Sequence, residues 1–164
     1  MATHVLSANP ARSLRDRSLS PRLRIASRDP VHMERVDSSR GQAYRAMTLA
    51  KHLAMDRNRI HALAGPIFIE GAEPGDVLWV EVLAIAHKVW GWSSVGKGLG
   101  FPNERFREPY FFWQLDGAVC RSLSPAVVPL CPFCGVMGVA RAEDGKFRAR
   151  PPGLFGGKMD VRER

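Results

Sequence analysis

The chain has 164 residues, 45% of them hydrophobic and 24% charged, with a formal net charge of +8. That is enough polypeptide for one core and an ordinary composition for one globular domain. No apolar run approaches the ~20 residues of a membrane helix, and the first residues lack the apolar stretch of a secretory signal; a cytoplasmic protein with no membrane partner is expected.

The charge is uneven. Residues 1–60 hold 12 Lys and Arg against 5 Asp and Glu, whereas residues 61–164 hold 12 against 11. Such asymmetry can mark a nucleic-acid surface. Here the arginines are scattered, and the only aromatic among residues 1–60 is Tyr44, so no base-stacking platform is visible. Nucleic acid is therefore not the expected partner, and residues 1–18 read as a basic N-terminal extension ahead of a β domain over 19–164.

Along that domain, Leu23–Val36 reads as two short strands around an Arg28-Asp29-Pro30 turn. Ala43–Arg57 is the one helix candidate, with Ala46, Leu49, Ala50, Leu53 and Ala54 spaced three and four apart on one face. Ile67–Ile69, Val77–Lys88, Tyr110–Leu115, Ala126–Leu130 and Val136–Ala140 are strand-like. Pro and Gly, 12 and 15 residues, punctuate the rest. The pattern predicts a mainly β protein, a β-sandwich or jelly roll with one short helix near residues 43–57.

Two motifs are weighed down by their context. Gly91–Gly98 (GWSSVGKG) is near a phosphate-binding loop, but Gly98 stands where a hydroxyl should reach magnesium, and no helix can open after it. A glycine loop whose Trp90 and Trp92 line or cover a pocket is expected instead. Cys131-Pro132-Phe133-Cys134 has the spacing of a redox dithiol. The following Gly135–Ala140 is a glycine-broken strand, not the helix N-terminus that would activate a thiol, so two buried structural cysteines are expected.

The chemistry-bearing residues cluster elsewhere. His61 precedes a Gly65-Pro66 turn and lies near Glu70 on the Ile67–Ile69 strand. Asp37 opens Asp37-Ser38-Ser39-Arg40-Gly41-Gln42, which alone would be a turn. Asp160 follows the glycine-rich bend Pro151–Lys158. Asp37, His61, Glu70 and Asp160 together form a mixed nitrogen and oxygen set suited to a hard or borderline cation.

The same segments carry a family resemblance. DSSRGQ at 37–42, HALAGPIFIEGAEPGDVLWVEVL at 61–83, PFCGVMGVA at 132–140 and PPGLFGGKMDV at 151–161 resemble, in order, four blocks of the acetamidase/formamidase family. The resemblance implies hydrolysis of a short aliphatic amide, formamide or acetamide, by metal-activated water, with zinc the expected divalent metal. It implies Asp37, His61 and Asp160 as metal ligands, Asp160 alternatively positioning the water, and Glu70 as a general base or a residue behind the ligands. It also implies a homo-oligomer. Two departures stand out: Lys158 replaces the family's asparagine two residues before Asp160, and the family's second half, with its Gly-Asp-Gly-His type segment, does not follow. The domain is thus expected to be incomplete at its C-terminus, and a catalytically silent subunit or interaction module is the alternative reading. Arg28-Asp29 also stands where a Gly-Asp turn would be usual.

Overall fold

The computed structural model describes residues 3–94, 110–149 and 155–158. It is mainly β with one short helix, as the sequence predicts. The described residues divide into two compact units, where the length alone suggested one domain.

The first unit comprises residues up to 41, 56–81 and those from 134 onward. Strands β1 (His4–Leu6) and β2 (Leu14–Arg15) fall in the stretch expected to be an extension. The Leu23–Val36 reading holds, giving β3 (Leu23–Ile25) and β4 (Val31–Met33). These two do not pair with each other: β3 runs parallel to β5 (Ile67–Ile69), and β4 parallel to β1. The turn between them forces Arg28 to φ +71°, a left-handed conformation that costs a non-glycine residue about 1 kcal/mol. Strand β10 (Val136–Gly138) pairs antiparallel with β12 (Gly156–Lys158), and β11 (Phe147–Arg148) with β2. Glycine is required where β10 meets β12. A Cβ on Gly138 would lie 2.5 Å from the Phe155 carbonyl oxygen and 2.8 Å from Arg15 Nη2. Arg15 is itself buried, its guanidinium 5.2 Å from the centre of the Phe155 ring.

The second unit comprises residues 42–55 and 82–133. Its centre is the antiparallel meander β6 (Trp90–Ser94), β7 (Tyr110–Asp116), β8 (Val119–Leu123) and β9 (Ala126–Pro129). Gly91–Ser94, expected in a loop, are therefore ladder residues; residues 95–98 of that motif lie outside the described ones. Cross-strand aromatic pairs supply the reason. Trp90 stacks on Phe112 with ring centres 4.9 Å apart, and Trp92 on Tyr110 at 5.9 Å, so the two tryptophans pack a sheet.

Helix α1 spans only Leu49–Leu53, capped by Thr48, whose hydroxyl accepts from the Lys51 N–H. It begins no earlier because the Thr48 cap is extended, with ψ 156°, and Ala46 before it has φ +63°. The face differs too: Leu49 and Leu53 are exposed, and His52 is buried against the Trp92 and Tyr110 rings. Ala43, Met47 and Met55, flanking the helix, form the buried cluster. The period of small and apolar residues was legible, but tertiary packing chose the aromatic side.

Two further expectations are corrected. Cys131 is exposed and Cys134 only half-buried, whereas Cys120 is the buried cysteine; only Cys120 sits within a paired strand that the meander covers. Val77–Lys88, expected to be a strand, enters no sheet among the described residues: every residue from 70 to 89 is exposed, and no ladder of those residues includes the segment. A strand exists only where a neighbour supplies hydrogen bonds, and none of the described residues does so here. Among the described residues no helix is long and apolar enough to cross a membrane.

Candidate functional site

The first unit fastens His61 to the loop that Asp37 opens through the backbone of Ser38. After β4, Glu34 N–H donates to the Leu6 carbonyl, and the chain then folds on itself through the side chain of Asp37. Its Oδ1 accepts from the Gly41 N–H at 2.7 Å and its Oδ2 from the Ser39 hydroxyl at 2.6 Å. The Arg40 N–H closes the same turn on the Asp37 carbonyl at 2.9 Å. A carboxylate that accepts hydrogen bonds from its own loop is held in one orientation. Arg40 and Gly41 take φ +59° and +78° to make this possible. Ser39 is fully enclosed, with 0% exposure.

His61 is fastened to that loop. Its N–H donates to the Ser38 carbonyl at 2.6 Å. Two residues on, Leu63 exchanges both backbone hydrogen bonds with Arg12, at 3.0 and 2.7 Å. Pinned from both directions, His61 adopts φ +59°, a sparsely populated conformation that persists where surroundings over-determine it and that concentrates at functional sites. Gly65 at φ +98° then turns the chain into β5.

Glu70 is placed elsewhere. Its N–H continues the β3–β5 pairing by donating to the Ile25 carbonyl at 2.8 Å, while its Oε1 accepts from Arg24 Nε at 2.8 Å. Both side chains are more than half exposed, and Arg24 also lies 3.9 Å over the Phe68 ring. This is a cross-strand clamp on the surface, worth at most ~1 kcal/mol. Asp160 lies outside the described residues; β12 ends two positions before it, with Lys158 opposite Val136 in register. Among the described residues no three His, Cys, Asp or Glu side chains form a metal-holding group.

Sequence reasoning named Asp37 and His61 but gave no role to Ser38 or Ser39. The first supplies the carbonyl that fastens His61, the second the hydroxyl that orients Asp37. The only available signal was two serines directly after an aspartate, which is also the signature of an ordinary turn.

The match to known proteins runs through these segments. The family model for the acetamidase/formamidase family matches residues 16–148. The chain belongs to that family. An acetamidase of Bacillus halodurans superposes with a TM-score of 0.85 at 28% identity, over 96% of this chain and 52% of that one. A Thermoanaerobacter tengcongensis structure described as a predicted acetamidase/formamidase gives 0.85 at 30% identity, over 97% and 52%. A formamidase of Methylophilus methylotrophus is 32% identical over 90 residues, which is 51% of this chain and 21% of that protein. This family member thus spans about half the length of its solved relatives, with the Asp37–His61 loop pair inside the matched part.

Proposed function

We propose that this chain carries the site of a cytoplasmic amide hydrolase that splits formamide or acetamide, R-CO-NH2 + H2O giving RCOO⁻ + NH4⁺. The observation that carries the reading is the pairing of two diagnostic family blocks by one hydrogen bond, His61 N–H to the Ser38 carbonyl. Membership of the family supplies the reaction class, and the names of its relatives supply the substrates.

The donor set suits a divalent cation of zinc's kind, since a carboxylate and an imidazole are both ligands for it. We assign Asp37 and His61 as two ligands and Asp160 as the third, or as the group that positions the attacking water. A bound metal of this kind polarises an amide carbonyl and lowers the pKa of a water. The chain's own residues do the positioning: Ser39 and Gly41 aim the Asp37 carboxylate, and the Ser38 carbonyl holds the backbone that presents His61. Glu70 would have to leave Arg24 to act as a general base, so Asp160 is the better candidate for that step.

The alternative is a subunit without activity of its own, favoured by the 52% share of the solved relatives that the chain spans. Ammonia release from formamide and acetamide, measured with zinc added and with zinc chelated, separates the two. Zinc-dependent release that falls about 100-fold or more in Asp37→Ala, His61→Ala and Asp160→Ala supports the hydrolase. A folded chain with no zinc-dependent release supports the silent subunit.

A further inference from the structure

Arg15 is a cation that the first unit encloses without supplying a counter-charge. It is 7% exposed, and its Nη1 and Nη2 are shut off from solvent with no hydrogen-bond partner among the described residues. Neighbouring arginines behave differently: Arg17 pairs with Asp144 and Arg24 with Glu70, all four side chains being about half exposed or more. Asp16, next to Arg15 in sequence, is turned to the Ser18 N–H and hydroxyl. A lysine or a carboxyl in such a place could discard its charge, but a guanidinium keeps its proton. An enclosed charge that cannot be neutralised calls for an anion.

The surroundings add a second cation. Arg141 shares the Phe155 ring with Arg15, the two guanidiniums lying 5.1 and 5.2 Å from its centre. Arg141 also lies 4.2 Å from the Phe147 ring, and Phe147 is the register partner of Arg15 between β11 and β2. Phenyl faces attract cations but do not neutralise them. Gly138 makes room on the other side, since a Cβ there would lie 2.8 Å from Arg15 Nη2. The Phe155 carbonyl beside it accepts instead from the Val139 N–H at 2.9 Å. Arg141, 31% exposed, is the outer of the two cations, and Glu143, 63% exposed, is its partner. We propose that Arg15 and Arg141 form a binding site for a small carboxylate anion, which replaces Glu143 on Arg141 as that side chain swings outward and then occupies the fork of Arg15. A surface ion pair is cheap to open. A planar carboxylate matches the parallel N–H groups of a guanidinium, and the bond strengthens where water is excluded.

Formate and acetate are the probes; their choice rests on the hydrolase reading, whose product is a carboxylate, whereas the site itself rests on Arg15. The test is thermal unfolding at constant ionic strength with formate or acetate exchanged for chloride, without zinc or amide, beside NMR titration of the Arg15 Nε–H signal. We expect the melting temperature to rise saturably with either carboxylate, and the Arg15 signal to move with the same midpoint. Arg15→Lys keeps the charge and loses the fork, and should weaken formate binding about tenfold or more. Arg15→Met should abolish the formate effect yet unfold no more easily than the parent in chloride, because an unpaired enclosed cation has gone. Arg57→Gln, at an exposed position, should change nothing. The NMR titration uses the unaltered chain, so it decides the matter even where a variant fails to fold. The proposal is overturned if formate and acetate act no better than chloride, if phosphate binds more tightly than either, or if folded Arg15→Lys binds formate as the parent does. Saturable formate binding by a chain that releases no ammonia would remove the hydrolase reading and leave this site standing, so the two fail separately.

Discussion

Residues 61–70 and 77–88 lie on either side of the Glu73–Asp76 turn, the first and the start of the second in one family block, and have opposite fates. The first is tied at His61, Leu63, Pro66 and Glu70 to the Asp37 loop, to Arg12, to Arg22 and to β3. The second touches no ladder among the described residues and lies exposed throughout. Its strand propensity is the greater of the two, with three valines, two leucines, an isoleucine and a tryptophan in residues 77–88. Propensity therefore does not decide which segment becomes a strand. Available partners do, because strand preference is largely packing against neighbours.

The contrast is sharpened first at Ser39. If the tied half depends on the Asp37 loop, Ser39→Ala removes the hydroxyl from a fully enclosed position and leaves Asp37 Oδ2 without that donor. We expect a loss of about 1–3 kcal/mol in denaturant unfolding, together with weakened zinc binding. A change below ~0.5 kcal/mol would show that the loop holds without it.

A smaller effect of opposite sign is expected at Arg28, in the turn leading to β4 and the Asp37 loop. Glycine accepts φ +71° at no steric cost, so Arg28→Gly should stabilise by up to about 0.5 kcal/mol after its larger unfolded-state entropy is deducted. Thermal unfolding reads this directly, and a destabilised variant would mean that the Arg28 side chain does more than occupy the turn.

The smallest effect concerns the end of the untied half. The His87 ring places Nδ1 2.7 Å from the Lys88 carbonyl and Nε2 2.9 Å from the Gly117 carbonyl. Only the imidazolium donates from both nitrogens, and these two bonds raise its pKa above the ordinary 6.5. The protonated form is thus the one favoured by folding. Its contribution is present in full below pH 6.5 and is lost as pH rises through the elevated folded value. The residue is exposed, so the effect on melting is small. Titration of the His87 ring signals by NMR, with a midpoint above that of an unfolded peptide, is the measurement; a midpoint at or below it would remove the tether.

Much of the candidate site was legible because it rests on local chemistry. Asp37 with Ser39 and Gly41 forms within five residues, and Gly65-Pro66 ahead of Ile67–Ile69 announces a turn into a strand. The mainly β class followed from short apolar runs between Pro and Gly, and the order of four family blocks specified the ancestry. Glu70 misled because its neighbours in sequence could not show Arg24, which arrives from a strand 46 positions away. The helix shrank for a similar reason: spacing marked a face at Leu49 and Leu53, but Trp92 and Tyr110 drew His52 inward instead.

The sequence by itself determined the residue chemistry, the turn positions and the family, since these depend on side-chain identity and on backbone preferences within a few residues. Only the tertiary structure decided that β3 and β4 seek separate parallel partners, that the Ser38 carbonyl fastens His61, and that Val77–Lys88 finds no strand partner among the described residues. Those outcomes turn on hydrogen bonds and burial between distant segments, and a strand's partner is not written in the strand.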